Sequence, residues 1–370
     1  MLSPLTQSIS SRPLGLVRVI IGVAALLRSF VALRVLLEIS EPEVVHIPYL
    51  DWTPSPSVPL IVLVISVWMV SSILFTAGWR VPWSGGALFL AIVSTLASDQ
   101  QAYSNHLYLM AWLVLLLIIA DAGAGLNLAR TNRPVFRWTV LLLMLQLTVV
   151  YGFSSLTKIN DEFLSGMVLA GVMRNGVLQF PETLRTPAFL SSLALAVVTL
   201  ELLLAVGIWF RKARPTVFVA GLGFHIAITL LMSTTVELLI FSIEMLALYP
   251  LFLTQESLVV VWDDECDSCF DWVSRFRRFD VLKTLHVVGK SSDSNPIPAE
   301  EVERSLHLIH QGETTSGFKA VTGVLEHLVP TLWFASILRV PGVSHLAGRW
   351  YRWQAARRSC PVALRSPVTP

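Results

Sequence analysis

Long apolar segments in the first two-thirds of the chain constrain its fold more than any other feature. The 370 residues are 54% hydrophobic and 14% charged, with a mean hydropathy of +0.66. About 20 consecutive apolar residues suffice for a helix to cross the hydrocarbon core of a bilayer. The pattern therefore predicts a polytopic α-helical membrane bundle of about eight helices. These are Leu14–Leu37, Val58–Gly78, Gly85–Ser98, Leu107–Gly123, Trp138–Leu156, Ala188–Phe210, Pro215–Ser233 and Val236–Leu253.

One further apolar stretch, Phe163–Phe180, is interrupted by Gly166, Gly171 and Gly176. Glycine weakens a helix interior, and irregular backbone is tolerated near a membrane where protein buries it or at the interface. We interpret this stretch as an interfacial or re-entrant segment rather than a ninth span.

The composition changes after Thr254, where apolar runs shorten and charged residues return. We therefore divide the chain into a membrane domain, 1–253, and a small soluble domain, 254–370. Alternating and β-branched runs predict strands, and apolar residues at helical spacing predict helices. The predicted strands are Ser257–Trp262, Leu282–Val288 and Ser305–His310; the predicted helices are Cys269–Phe279 and Phe318–Leu328, with a turn at Gly312–Gly317. This order is typical of a thioredoxin-like α/β domain.

The distribution of basic residues predicts the orientation of the membrane domain. Lys and Arg cluster in the loops after the second, fourth and sixth segments, at Arg80, Arg130, Arg133, Arg137, Arg211, Lys212 and Arg214. We therefore predict a multi-pass protein of the cell (inner) membrane. The positive-inside rule places its N-terminus and its soluble domain in the cytoplasm. A net charge of +2 gives no reason to expect nucleic acid as a partner.

The soluble domain contains a CxxC motif, Cys266 and Cys269, after its first predicted strand. Two thiols so spaced at a helix start can form an easily reversed disulfide, because the helix N-terminus stabilises the attacking thiolate. Half of a zinc site is one alternative, with further ligands from His286, His307 or His310, and two inert cysteines are another. Cys360 reads as a plain exposed thiol, and we predict no metal site.

Asp263, Cys266 and Cys269 form a DxxCxxC motif, and Gly317-Phe318-Lys319-Ala320 and the basic aromatic segment Tyr351–Arg358 follow. These residues resemble the DCC family of thiol-disulfide oxidoreductases. The resemblance implies that Cys266 attacks and Cys269 resolves, with a thiol or disulfide protein or peptide as substrate. The family usually has glycine after the motif aspartate, whereas Asp264, Glu265 and Asp267 here place negative charge that opposes a thiolate.

Ionisable side chains also occur inside the predicted membrane segments. They are Arg28, Glu201, His225 and Glu244. Such groups are costly in a bilayer, so they indicate either a functional polar site or pairs that only hold helices together.

Three segments of the membrane domain resemble the HTTM superfamily, which includes the membrane part of vitamin K-dependent γ-carboxylase. Asn105, His106, Tyr108 and Leu109 match its NHxYL element; Tyr151 and Lys158 match a second element, and Gly223-Phe224-His225 a third. The resemblance implies that Lys158 deprotonates a reduced quinone and that His106 stabilises the charge. Asn105, Tyr151, Arg28, Glu201 and His225 would line the cofactor site. Lys158 could instead snorkel to the interface, and His106 could simply begin a helix.

These features favour a membrane-bound thiol-disulfide oxidoreductase, linked to a quinone in the bundle and holding no covalent cofactor. One alternative is carboxylase-like base chemistry driven by hydroquinone oxidation. Another is a non-enzymatic anchor or maturation factor for an exported peptide. The first interpretation predicts that the intramembrane polar groups converge, and the anchor predicts that they disperse.

Overall fold

The computed structural model describes residues 5–49, 56–172, 176–179, 181–232, 235–253, 257–340 and 342–357. The chain forms two compact units, one of residues 1–208 with 220–252 and one of residues 209–219 with 253–370. The predicted fold class, a helical membrane bundle followed by a small α/β domain, is confirmed.

Ten α-helices and one two-stranded ribbon precede residue 253 in the described part of the chain. They are β1 (Ser8–Ile9), α1 (Arg12–Ile39), α2 (Val58–Ala77), α3 (Val81–Ser98), α4 (Asn105–Ile119), β2 (Val135–Phe136), α5 (Arg137–Thr157), α6 (Asp161–Leu164), α7 (Met167–Val172), α8 (Pro187–Gly207), α9 (Arg214–Leu231) and α10 (Thr235–Leu246). The first residues of α9 belong to the second unit. A proline stands in the first turn of α1, α2, α3 and α8, where its missing N–H costs no hydrogen bond.

Six of these helices, α1, α2, α3, α5, α8 and α9, are long and apolar enough to cross a membrane within the described part of the chain. All eight predicted segments contain a helix, but α4 has 15 residues and α10 has 12. α4 ends before Asp121, whose backbone is left-handed with φ of 50°. After α10, a short 3-10 turn at Tyr249–Phe252 contains Pro250, which cannot donate to a continuing helix.

The apolar stretch after α5 forms the two short helices α6 and α7, and no helix of spanning length occurs in residues 161–172 and 176–179. Phe163 and Leu169 are buried against Leu190 and Ala194 of α8. Gly166 joins the two helices with φ of +80°, and a Cβ there would clash with Leu190. The stretch therefore packs on α8 and is not a ninth span.

A buried arginine links α1 to the last turn of α2 and to the connection that follows α4. The Arg18 side chain is fully buried. Its guanidinium donates to the carbonyl oxygens of Ala122 at 2.7 Å, Gly125 at 3.0 Å, Leu126 at 2.6 Å and Thr76 at 3.3 Å. Arg18 thus satisfies four backbone acceptors that would otherwise be buried without a donor.

We expect Arg18→Met to lower the stability of the membrane unit by about 3–5 kcal/mol, because several buried carbonyls lose their donor at once. Thermal denaturation of the full chain in nanodiscs measures the change. Arg34→Met on the same helix is the matched control, since Arg34 is exposed and forms its ion pair with exposed Glu38. Equal losses for the two variants would contradict this role of Arg18.

The second unit contains a four-stranded mixed sheet with the order β4-β3-β5-β6. Its elements are β3 (Leu258–Trp262), α11 (Asp267–Phe279), β4 (Leu285–Gly289), α12 (Ala299–Arg304), β5 (His307–His310), β6 (Glu313–Ser316), α13 (Gly317–His327), α14 (Leu332–Leu338) and α15 (Val343–Ala356). β3 is parallel to β4 and antiparallel to β5, and β5 is antiparallel to β6. This arrangement confirms the thioredoxin-like prediction.

Strand alternation separates the two faces of this sheet. Leu258, Val260 and Trp262 pack with α11 and α13, whereas Val261 packs against Val302 of α12. α13 and the 329–338 segment together are apolar enough to count as a seventh span. They bend by 112°, however, and bury Ala320, Val324 and Ala335 in the α/β core.

The predicted turn at Gly312–Gly317 is wrong in part, because it contains strand β6. β5 and β6 are joined by the two-residue loop Gln311-Gly312, with φ of 54° and 80°. Positive φ at both positions matches the twist of a tight hairpin, and Gly312 adopts it without strain. The sequence reasoning also missed α12, α14 and α15.

Candidate functional site

The CxxC motif lies at the start of α11, shortly after the end of β3. Cys266 is the N-cap of α11, and its backbone N–H donates to the Asp263 carbonyl at 3.3 Å. Cys269 follows within the first turn, where the backbone N–H groups have no partner inside the helix. The partial positive charge at this helix end favours a thiolate on either cysteine.

The two sulfurs of the motif are not joined to each other in this structure. Cys266 takes part in a disulfide and is 1% exposed. Cys269 carries a thiol and is half-buried. The third cysteine, Cys360, lies outside the described residues.

Lys290 forms ion pairs with acidic side chains near the CxxC motif. Its ammonium lies 3.3 Å from Asp263 Oδ1, 2.7 Å from Glu265 Oε2 and 3.1 Å from Glu303 Oε1, and its side chain is 9% exposed. Burial on its own lowers the pKa of Lys290, but hydrogen bonds to Glu265, Glu303 and Asp263 outweigh burial and raise that pKa above its usual range. Lys290 therefore stays charged at neutral pH and offsets the negative charge beside the thiols.

The parallel pairing of β3 and β4 explains why Lys290 is there. Trp262 pairs with Gly289, so the residues that follow each strand, Asp263 and Lys290, emerge at the same edge of the sheet. Asp264 turns toward the next loop and accepts from the Ser291 backbone N–H at 3.2 Å. The acidic residue in the usual glycine position is thus used in a local contact.

We expect Lys290→Met to slow alkylation of Cys266 about tenfold at neutral pH and to raise by about one unit the pH at which alkylation is half-maximal. Removing the ammonium leaves the carboxylates beside the thiol without a counter-charge. The measurement is the pH profile of iodoacetamide labelling after reduction, in a Cys269→Ser, Cys360→Ser background. Lys290→Arg should keep the profile, and Lys283→Met, an exposed lysine before β4, should not change it.

In the membrane unit, Lys158 pairs with Glu201 across α5 and α8. The Lys158 ammonium donates to both carboxylate oxygens of Glu201 at 2.8 Å and to Ser154 Oγ at 2.5 Å. Ser154 Oγ also donates to Glu201 at 2.9 Å. The Glu201 side chain is 4% exposed and that of Lys158 is 25% exposed. The pair forms a compact polar site at the end of α5.

One turn before Ser154, Tyr151 belongs to a second buried hydrogen-bonded group. Its hydroxyl shares hydrogen bonds with His225 Nε2 at 2.7 Å and with the Tyr249 hydroxyl at 3.0 Å. The other ring nitrogen of His225 shares a hydrogen bond with Ser242 Oγ at 3.1 Å. Tyr151, His225 and Ser242 therefore connect α5, α9 and α10.

α10 extends this polar group toward α1 and α4. The Phe241 ring contacts the rings of His225 and His106 in tilted arrangements, with centroids 5.7 Å and 4.5 Å apart. One turn earlier, Glu237 pairs with Arg28 at 3.1 Å. Nδ1 of His106 is buried and has no hydrogen-bond partner among the described residues. Because this buried nitrogen has no protein partner to give up, it can form a hydrogen bond with a ligand without breaking an existing one.

An apolar cavity of about 350 Å³ lies near the start of α4. It is lined by aromatic and aliphatic side chains of α3, α4 and the preceding loops, and the aromatic ones include Tyr49, Tyr103, Tyr108 and Trp112. The Tyr103 hydroxyl donates to Oδ1 of Asn105 at 3.0 Å. The cavity volume and apolar lining suit part of a small hydrophobic ligand.

Comparison with protein families assigns both units. The family model described as HTTM domain matches residues 6–256. The chain belongs to the HTTM family. A second model, described as DCC1-like thiol-disulfide oxidoreductase, matches residues 260–360. No curated protein and no solved structure matches the chain.

The HTTM and DCC1-like domains, with the apolar helices, make this an integral membrane protein with a redox domain. Within the HTTM domain, Arg28, His106, Tyr151 and His225 lie in one group of contacts around α10. Lys158 and Glu201 join that group through neighbouring turns of α5.

Three predicted residues of the HTTM domain do not contact the His106 ring in the way that the resemblance implies. Asn105 is exposed and contacts Tyr103. Glu244 is buried, with Oε2 lacking a hydrogen-bond partner among the described residues. Lys158 reaches its carboxylate partner, not the His106 ring. Sequence reasoning missed Glu237, Ser242 and Tyr249, whose acidic or hydroxyl side chains in apolar segments were the available signal.

Proposed function

We propose that the DCC1-like domain exchanges dithiols and disulfides through Cys266 and Cys269, and that its electrons pass to or from a quinone held by the HTTM domain. The thiol chemistry is supported by the position of Cys266 at the N-cap and of Cys269 in the first turn of α11. The positive charge of Lys290 also offsets the negative charge of the nearby carboxylates.

In the exchange step, the Cys266 thiolate attacks one sulfur of a substrate disulfide and releases the other as a thiolate. The Cys269 thiolate then attacks the Cys266 sulfur, forms the Cys266–Cys269 disulfide and releases the reduced substrate. Two electrons move from the motif to the substrate.

The HTTM domain supports the quinone part of the proposal through His106 and its surroundings. A quinone carbonyl can accept a hydrogen bond from Nδ1 of His106, which lacks a protein partner among the described residues. The apolar cavity near Asn105 offers space for a ring or an isoprenoid unit. The HTTM helices supply hydrogen-bonded tyrosine and histidine side chains within the same bundle.

The electron balance closes with the quinone as co-reactant. A hydroquinone gives two electrons and two protons to the motif disulfide, producing the quinone and two thiols. Our predicted topology puts Lys158 and His106 on the outer side and the thiols on the inner side, with about 30 Å of hydrocarbon between them. A mobile quinone would diffuse across that distance, whereas direct thiol transfer would not.

The experiment follows the redox state of Cys266 and Cys269 in membranes by alkylation shift, with a short-chain quinone added in oxidised or reduced form. We expect hydroquinone to reduce the motif and quinone to oxidise it. Cys266→Ser is the control for site assignment.

His106→Gln should weaken the response to quinone while leaving exchange with glutathione disulfide intact. A motif that ignores the quinone in the wild-type protein contradicts the coupling, and leaves the two domains with separate functions.

A further inference from the structure

The last described helix of the chain, α15, exposes an apolar stripe along one side. Val343, Leu346, Trp350 and Trp353 are 37%, 68%, 58% and 50% exposed. Their spacing of three and four residues puts them on one helix face. Exposed tryptophan and leucine in a continuous stripe usually mark an interaction surface.

The opposite side of α15 is held by the α/β domain, so its outer face has a fixed direction. Tyr351 packs against Phe318 of α13 with ring centroids 6.1 Å apart. Gly348 is buried, and a Cβ there would contact Phe318 at 3.5 Å. α15 therefore presents its tryptophans outward while its inner residues contact α13.

The charges beside the stripe are all positive. Arg349 and Arg352 are exposed on the same helix, and the Arg357 guanidinium lies 3.9 Å from the Trp353 ring centroid. No Asp, Glu or Lys follows Glu326 in the sequence, whereas six arginines do. This combination matches an anionic partner that also offers an apolar layer.

We infer that the outer face of α15 rests on the bilayer surface and binds anionic phospholipid headgroups. Leucine and tryptophan enter the interface between headgroups and acyl chains, and the neighbouring arginines reach the phosphates. The HTTM domain already ties this chain to a bilayer, so the face meets lipid at a high effective concentration. A lipid surface satisfies both the apolar stripe and the arginines beside it.

The test places the photo-crosslinking residue benzoylphenylalanine at Trp350 of the full chain, in nanodiscs of phosphatidylcholine with or without phosphatidylglycerol. Trp350 is exposed, so the replacement leaves the core unchanged. We expect lipid adducts at this position, increasing with the phosphatidylglycerol fraction. Glu300, exposed on α12 across the sheet, is the matched control and should give none.

A second variant tests the apolar stripe. With the crosslinker at Trp353, Leu346→Glu should lower the lipid adduct about tenfold, because a charge replaces an apolar side chain that enters the interface. Arg349→Gln with Arg352→Gln should remove the dependence on phosphatidylglycerol.

Crosslinks from position 350 to other segments of the same chain, or to a second copy, without lipid adducts would overturn the inference. The absence of any adduct would overturn it as well, because the face would then be open to water. Lipid adducts of equal yield at positions 350 and 300 would show nonspecific labelling and would also contradict it.

Discussion

Cys269→Ser should trap a mixed disulfide on Cys266 and reduce turnover with a disulfide substrate to background. Cys266 caps α11, and the resolving thiol must come from the same first turn to release the substrate. Without the Cys269 thiol, the first exchange proceeds and the second cannot. The measurement is the mass of the intact chain after incubation with glutathione disulfide, in a Cys360→Ser background that removes the third thiol.

The comparison variant is Cys266→Ser in the same background, which should acquire no stable adduct and show no turnover. An adduct on Cys269 in that variant, with none in Cys269→Ser, would reverse the two roles. Lys290→Met in the trapping background should slow adduct formation without changing its final amount, because Lys290 acts on the charge near the thiol and not on the bond that forms.

The α/β domain was largely predictable because its core strands have a distinctive composition. The β-branched run of β3 and the alternation of β5 indicate strands by themselves. β6 escaped prediction because Glu313–Ser316 is a polar edge strand, which resembles a turn in composition. Lys290 escaped for another reason. It approaches Asp263 only through the register of two parallel strands, which no local pattern contains.

In the membrane domain, hydropathy located the eight apolar segments but overestimated the length of two. Apolar composition continues past the ends of α4 and α10, whereas their hydrogen-bonded helices stop at Ile119 and Leu246. Hydropathy measures transfer into lipid and not backbone geometry. Left-handed Asp121 and the Pro250 turn end the regular structure without changing hydropathy enough to be noticed.

The polar groups of the bundle were visible in the sequence, but their pairing was not. Arg28 was a candidate because it lies inside an apolar segment, but the sequence did not indicate that it forms an ion pair with Glu237. Partners are chosen by the rotation of each helix about its axis, which tertiary packing determines. Lys158 and His106 were predicted as site residues because short motifs around them resemble the HTTM superfamily. Only the structure placed them in two neighbouring polar groups.

Lys158→Met and Glu201→Gln should each lower stability by roughly 3 kcal/mol and abolish the response of the thiols to quinone. Each leaves one partner of a largely buried pair without its counter-charge. If the pair only joins α5 to α8, replacing both residues by methionine should restore stability and response together. We expect the double variant to recover most of the stability and none of the response.

We expect no recovery of the quinone response because a base that deprotonates a hydroquinone needs the Lys158 amine, which methionine lacks. The Lys158 ammonium is held by both oxygens of Glu201, so the amine becomes available once the proton passes to that carboxylate. Thermal midpoints in nanodiscs and the alkylation-shift assay measure the two properties on the same samples. Recovery of the quinone response in the double variant would assign the pair a purely structural role.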